Sequence, residues 1–250
     1  MPSPIPLILK RKGSVLTLSF NNPEKRNALT SEMMGAASST LREVENYQEL
    51  RVVVIRGEGP AFCSGAEVTS WKAEELQAFL SALIECPLPT IADIHGVCLG
   101  GGMGLACSCD FVLAEKGTQF GFPEVRIGMV PAIISPYVAR KLNLSKMREL
   151  FITGERFGTT EALSMGFLYR ETDGVADAVL RALISDIEKG GPQAQQHIAR
   201  LLNGDIISKA IKQRDSELSD FISQIRKGSE SQEGIRSFLE KRKPNWCSDD

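Results

Sequence analysis

Leu16, Leu18 and Phe20 alternate with Thr17 and Ser19. That period of two predicts a strand with one buried face. Asn21 to Asn27 then reads as a polar turn built around Pro23. Thr30 or Ser31 can cap a following helix, whose apolar positions Met33, Ala37, Leu41 and Val44 share one stripe. Val52 to Ile55 is a continuous β-branched run, the pattern of a strand buried on both faces. A glycine-bearing loop over Gly57 to Gly65 leads to a second helix over Ser70 to Cys86, with Leu76, Phe79, Leu80, Leu83 and Ile84 aligned. Pro87 and Pro89 end it. Thr90 to Leu99 predicts a strand that stops at Gly100-Gly101-Gly102, and a short helix and a strand over Phe111 to Ala114 follow. Alternating strands and helices predict parallel pairing with helical crossovers.

The pattern changes after Pro136. Helical stripes are predicted over Tyr137–Leu142, Lys146–Ile152, Thr159–Met165, Val175–Glu188, Pro192–Leu202, Ile206–Ile225 and Gln232–Lys241. Leu168-Tyr169 reads as one further short strand. A mostly helical end after an α/β core suggests a cap or an oligomerisation element.

Composition narrows the class. The chain has 250 residues with 42% hydrophobic and 24% charged, enough apolar material for a substantial core. Its 29 basic and 31 acidic side chains leave a net charge of −2, which argues against a broadly basic nucleic-acid binder. A small basic site for one phosphorylated ligand remains open. Six cysteines form no C-x-x-C pair and only two histidines are present, so a zinc site is not expected. The cysteines lie mostly in apolar stretches, which favours buried free thiols. The first residues lack signal-peptide order, and no apolar run approaches the ~20 residues of a membrane span. The expectation is a cytoplasmic α/β enzyme without membrane or nucleic-acid partners.

Three features carry candidate chemistry. Gly100-Gly101-Gly102-Met103-Gly104 joins a predicted strand to a predicted helix, where free N–H groups face outward. No Gly-Lys-Ser/Thr follows, which removes a P-loop, and dinucleotide glycine spacing is absent. An oxyanion hole is one reading, with a second donor from Phe62-Cys63-Ser64-Gly65-Ala66-Glu67; a pair of tight turns is the other. Glu124 stands in Phe120-Gly121-Phe122-Pro123-Glu124-Val125, where apolar neighbours raise a carboxyl pKa toward the acid–base range. An exposed loop glutamate is the alternative. No Gly-x-Ser-x-Gly is present, and His95, in an apolar strand, reads as a satisfied core histidine rather than a base.

In order, Asn22-Pro23-Glu24-Lys25-Arg26-Asn27-Ala28-Leu29, Ala61 to Glu67, His95 to Gly102, Cys109-Asp110-Phe111, Phe120 to Glu124 and Glu233 to Lys243 resemble the crotonase family, also called the enoyl-CoA hydratase/isomerase family. The resemblance spans nearly the whole chain. It implies a spiral of ββα repeats over residues 1–190 and a C-terminal helical region over 191–250 that builds trimers, often paired into hexamers. It implies an acyl-coenzyme A thioester as substrate and no separate cofactor or metal. The matching oxyanion donors are the N–H groups of Ala66 and Gly101. Lys25, Arg26, Ala28, Glu67 and Val68 match positions that hold coenzyme A, and Phe238 and Lys241 match tail positions that contact it.

Two departures qualify the match. Two-glutamate hydratases carry one acid two residues after the glycine triplet, where this chain has Gly104; the other acid is present as Glu124. Pro131-Ala132-Ile133-Ile134-Ser135-Pro136 replaces a glycine-rich run. With Glu124 to Gly128 and Tyr137 to Arg140, that segment is similar to a bacterial subgroup linked to methylglutaconyl-CoA hydration. Enoyl-CoA hydration, on a branched chain of that type, is therefore the expected reaction, with Ala132 or Ser135 as candidates to place the water. A single acid also suffices for double-bond isomerisation. A non-catalytic acyl-CoA-binding homologue is the third reading.

Overall fold

The computed structural model describes residues 6–47, 49–67, 72–174, 178–203, 220, 223–224 and 226–244. Two sheets and a coat of helices form the α/β body. The larger sheet takes β1 (Leu7–Lys12), β2 (Val15–Phe20), β3 (Val52–Gly57), β4 (Thr90–Ile94), β6 (Phe111–Glu115) and β9 (Arg170–Thr172), in that spatial order. Its β1–β2 pair is antiparallel, and every pair from β2 onward is parallel. The smaller sheet holds β5 (Val97–Leu99), β7 (Gln119–Gly121) and β8 (Arg156–Phe157).

The chain passes from the larger sheet to the smaller layer and back through a helix, again and again. After β2 it reaches Leu29, then enters α1 (Ser31–Glu43); after β3 it reaches Cys63 and Ala66, then α2 (Ala73–Ile84). After β4 and β5 comes α3 (Gly101–Ser108), and β6 and β7 follow. Parallel bridges Leu29–Ala66 and Cys63–Cys98 join these successive passes. The result is a right-angled stair of ββα turns with its inner wall made of loop backbone.

The Thr90–Leu99 strand of the sequence reading is two strands in different sheets. Gly96, at φ +64, turns the chain between them, and a Cβ there would stand 2.0 Å from the Pro60 carbonyl oxygen. Only glycine fits that approach. The second helix begins at Ala73, and Ser70, proposed as its start, lies outside the described residues. The Tyr137–Leu142 helix is the shorter α4 (Ser135–Val138), and the last strand begins at Arg170, just after Leu168-Tyr169. The remaining helices are α5 (Leu144–Thr153), α6 (Thr159–Ser164), α7 (Ala178–Lys189), α8 (Pro192–Asn203) and α9 (Ser229–Leu239). The expected helix over 206–225 falls largely outside the described residues. Strands β1, β7 and β8 had no readable pattern. β1 is an edge strand without a buried alternate face, and β7 and β8 are too short to show a period.

Thr30, not Ser31, caps α1: its hydroxyl accepts the Met33 N–H at 3.2 Å. The β3 run is apolar throughout because it has two cores to fill. Val53 and Ile55 enter the main core under α1 and α2, while Val52 and Val54 meet Ile91, Leu113 and Leu180, Leu183 and Ile187 of α7. Each such side chain contributes ~1.5–3 kcal/mol by leaving water. The described cysteines Cys63, Cys86, Cys98, Cys107 and Cys109 are all free and buried. Among the described residues no helix is long and apolar enough to cross a membrane.

Candidate active site

Asn27 organises the entrance loops. It is fully buried at φ +55. Its Oδ1 accepts the Asn22 N–H at 2.8 Å, and its Nδ2 donates to the carbonyls of Glu58 at 2.8 Å and Ala61 at 2.7 Å. This clamps the 22–27 turn to the loop after β3. Beside it Ser64 N–H donates to the Arg26 carbonyl at 3.0 Å. Lys25 and Glu67 form an ion pair across the same cleft.

The clamp aims two backbone donors. In the parallel bridge, Leu29 N–H donates to Gly65 O at 2.8 Å and Glu67 N–H to Leu29 O at 3.0 Å. By the alternation of a parallel ladder, the Ala66 N–H between them points away from Leu29. It points toward the start of α3, where a Cβ on Gly101 would stand only 3.2 Å from the Ala66 nitrogen. Gly101 is the first residue of α3, so its N–H has no partner within the helix. Gly65, at φ +114, and Gly100, at φ +51, give the two loops the conformations that bring these groups together. The Ala66 nitrogen and the start of α3 thus lie side by side at one point of the wall.

Glu124 faces that point. It lies on a 3-10 turn over Pro123–Ile127, whose preceding Phe122 packs its ring on Phe151 at 4.7 Å between centroids. Oε1 is 3.2 Å from where a Cβ on Gly100 would be. Oε2 is closed to solvent and has no hydrogen-bond partner among the described residues. The residue as a whole is half-buried, so the carboxyl group is more sheltered than the side chain's stem. Burial pushes its pKa up to about 7, and a hydrogen bond from its own N–H opposes the shift weakly. A carboxyl titrating there serves as base and acid at neutral pH.

These groups share a cavity of about 860 Å³. Lys25, Arg26, Ala28, Glu67 and Phe238 line it together with Ala66, Gly101 and Glu124. Val68 lies outside the described residues. Lys241 is exposed at φ +55 and is not part of the lining. The two candidates for placing water do not present free groups. Ala132 lines the cavity, but its N–H is spent on the Val130 carbonyl at 2.8 Å. Ser135 stands outside the lining, its hydroxyl donated to the Ala132 carbonyl at 2.9 Å. Pro136 sits in the first turn of α4, where its missing N–H costs nothing. His95 holds the Gly59 carbonyl at 2.8 Å through Nε2 and takes no part in the cavity.

Position 104 is closed to an acid. A Cβ there would stand 2.4 Å from Cγ2 and 2.9 Å from Cβ of Ile134. Ile134 is 2% exposed and fills the space beside α3. The two departures seen in the sequence are thus one packing event: the isoleucine fits because residue 104 has no side chain. Sequence reasoning noted each change and missed their contact. Asn27, Arg126 and Arg156 were also missed as site residues. Arg126 and Arg156 line the cavity, and Arg126 Nε donates to the Gly154 carbonyl at 2.9 Å. Nothing in single-sequence periodicity marks such residues, because their partners lie far along the chain.

Known proteins resemble this chain in sequence and fold. A family model described as enoyl-CoA hydratase/isomerase matches residues 10–249. An enoyl-CoA hydratase structure from Mycobacterium avium superposes with a TM-score of 0.89 at 30% identity, covering 97% of this chain and 99% of that one. A carnitinyl-CoA hydratase from the same organism gives 0.87 at 28% identity, covering 98% and 99%. Cyclohexa-1,5-dienecarbonyl-CoA hydratase of Thauera aromatica is 26% identical over 98% of this chain and 97% of its own. With a sequence match that runs almost end to end and a shared fold, the chain belongs to the enoyl-CoA hydratase/isomerase family.

Proposed function

We propose that the protein adds water across the double bond of an α,β-unsaturated acyl-CoA thioester. The observation that carries the reading is the closeness of the Ala66 nitrogen and the helix start at Gly101 to a sheltered Glu124 carboxyl that titrates at about 7 and whose Oε2 has no partner among the described residues. The thioester oxygen sits between the two N–H groups. Glu124 takes a proton from water as the water oxygen bonds to the β-carbon. The π electrons move through the α-carbon onto the thioester oxygen as an enolate, which the two N–H dipoles stabilise. Glu124 then returns the proton to the α-carbon, restoring the carbonyl. One carboxylate therefore serves both halves of the addition, and no cofactor is used beyond the coenzyme A that the substrate carries.

Lys25, Arg26, Ala28, Glu67 and Val68 hold the coenzyme A nucleotide in this reading, with Phe238 on the wall of the same cavity and Lys241 reaching the coenzyme A of a neighbouring subunit. The acyl chain is branched and carboxylated, of the methylglutaconyl type. Arg156 supports this finer assignment. It lines the cavity with Glu124, and its Cγ stands 3.4 Å from where a Cβ on Gly121 would be. Leu144, Ile152, Ile198 and Leu202 are exposed apolar side chains on α5 and α8, which fits assembly into a homotrimer or hexamer.

The test is a panel of unsaturated thioesters, including crotonyl-CoA and 3-methylglutaconyl-CoA, in deuterated water with products read by mass spectrometry. Gain of one water is expected, fastest on the carboxylated substrate. R156A is expected to cost that substrate about 10–100-fold more in kcat/KM than it costs crotonyl-CoA, the scale of one lost charged hydrogen bond. Equal losses on both would sink the carboxylate assignment. A second reading, double-bond isomerisation, draws on the closed space at Gly104, which leaves a single carboxylate to shuttle protons. Deuterium exchange without water gain would establish it.

A further inference from the structure

The turn that carries Glu124 does not hold itself. Its hydrogen bonds, such as Gly128 N–H to Val125 O at 3.1 Å and Met129 N–H to Glu124 O at 2.9 Å, close the turn but leave its outer side bare. Helix α9, about a hundred residues later in the chain, covers that side. Three contacts are fitted to it. Gly234 lies so close that a Cβ would stand 2.1 Å from the Ile127 carbonyl oxygen. Gly128, at φ +66, lies against Glu230, where a Cβ would stand 2.9 Å from the Glu230 carbonyl oxygen. Ser231, 1% exposed, donates its hydroxyl to the Gly128 carbonyl at 2.6 Å and sits 3.1 Å from the Met129 sulfur. On the same and the adjoining side of the helix, one turn on, Ile235, Phe238 and Leu239 line the cavity wall.

We propose that α9 is a positioning element for the reaction: Ser231 and Gly234 fix the backbone of the Glu124 turn, and so set both the aim of the carboxylate and its shelter from water. This rests on the role given to Glu124 above. The reach is physical. Displacement of a reacting group by about 1 Å can cost ~10²-fold in rate. The two glycines allow backbone-to-backbone contact with no side chain between, which transmits a shift of the helix directly to the turn. A helix docked through side chains alone would have slack. Because cavity lining and turn support occur on one helix, a ligand pressing on Phe238 and Leu239 acts on the same body that holds Glu124.

Shelter has its own signature. Charged groups on the surrounding elements are Arg126 on the turn, Arg156 on β8, Arg148 and the Lys146–Glu149 pair on α5, and Glu230, Glu233 and Arg236 on α9. Arg126 is turned to the Gly154 carbonyl, and Glu233 holds Arg242 in a two-pronged pair at 2.6 and 2.9 Å. Burial, not a neighbouring charge, is what raises the Glu124 titration. Loosening α9 admits water and lets that titration fall.

The experiment uses the full chain with S231A and G234A, and E124Q as reference. Crotonyl-CoA is the kinetic probe, and the Glu124 carboxyl is titrated directly by NMR of carbon-13 glutamate, assigned by its loss in E124Q. S231A is expected to lower kcat about tenfold with KM within about twofold, and G234A to lower it about a hundredfold. Both are expected to move the Glu124 pKa from about 7 toward the ordinary carboxylate value of 4.5. If both variants titrate like the unaltered protein, the proposal is overturned, whatever happens to kcat. If G234A does not fold, S231A decides alone, since it removes one hydroxyl and leaves both glycine contacts intact. If the titration moves while no form hydrates any thioester, the positioning role stands and the hydratase reading is what fails.

Discussion

The loop wall at Ala66 and Gly101 and the Glu124 turn line one cavity, yet they are built in opposite ways. The wall is backbone. Its donors are fixed by a parallel bridge, a helix start and the Asn27 clamp, all made by neighbouring turns of the spiral. The turn presents a side chain, and its orientation and burial depend on α9, far along the chain. Local folding makes the wall robust. The acid's chemistry, in contrast, is a property of long-range packing, so it is the easier part to perturb from a distance.

The largest effect expected on the turn side is from E124Q. Removing the proposed acid–base group is expected to lower hydration by about 10³-fold while the protein stays folded. A folded E124Q with full activity would take the reaction away from the turn altogether. On the wall side, A66P removes one donor without touching the acid. A loss of about 10²–10³ in kcat is expected, with Glu124 still titrating near 7. A matching drop in the titration would show that the two sides are not independent.

G104A comes next. Its methyl group meets Ile134, and overpacking of this kind costs about 1–3 kcal/mol. I134A alone opens a cavity and costs a similar or larger amount, about 2–5 kcal/mol. Joined in one chain, the two changes are expected to cost less than their sum, measured by denaturant unfolding. Strict additivity would mean the two side chains do not compete for space.

The smallest effect is a pH dependence of stability. Glu124 binds its proton more tightly in the folded protein than in the unfolded chain, so its burial costs nothing below pH 4.5, where both states are protonated. The cost grows as pH rises toward about 7 and is then complete. E124Q is therefore expected to gain stability relative to the unaltered protein over that range, by no more than about 3 kcal/mol. A constant difference from pH 4 to 8 would mean the carboxyl is not buried in solution.

What could be read from the chain follows the same division. The period of β2, the stripes of α1 and α2 and the doubly buried β3 run were legible, because neighbours in sequence make those patterns. The glycine loops were legible as places where the backbone turns sharply, with paired donors and plain tight turns both left open. The break at His95-Gly96 was not, since Gly96 answers to Pro60 in another loop. Ala132 and Ser135 were misjudged for a related reason. Their polar groups are consumed by carbonyls one turn away, which composition does not show. Ser231 and Gly234 read as ordinary helix residues until the turn they touch is known.

The contact between Gly104 and Ile134 also constrains ancestry. While the isoleucine is in place, a carboxylate at position 104 must push it aside, because even the first carbon of its side chain would stand 2.4 Å from Ile134 Cγ2. A smaller residue 134 removes that cost. The two positions therefore constrain each other: an acid at 104 is least costly after residue 134 has shrunk.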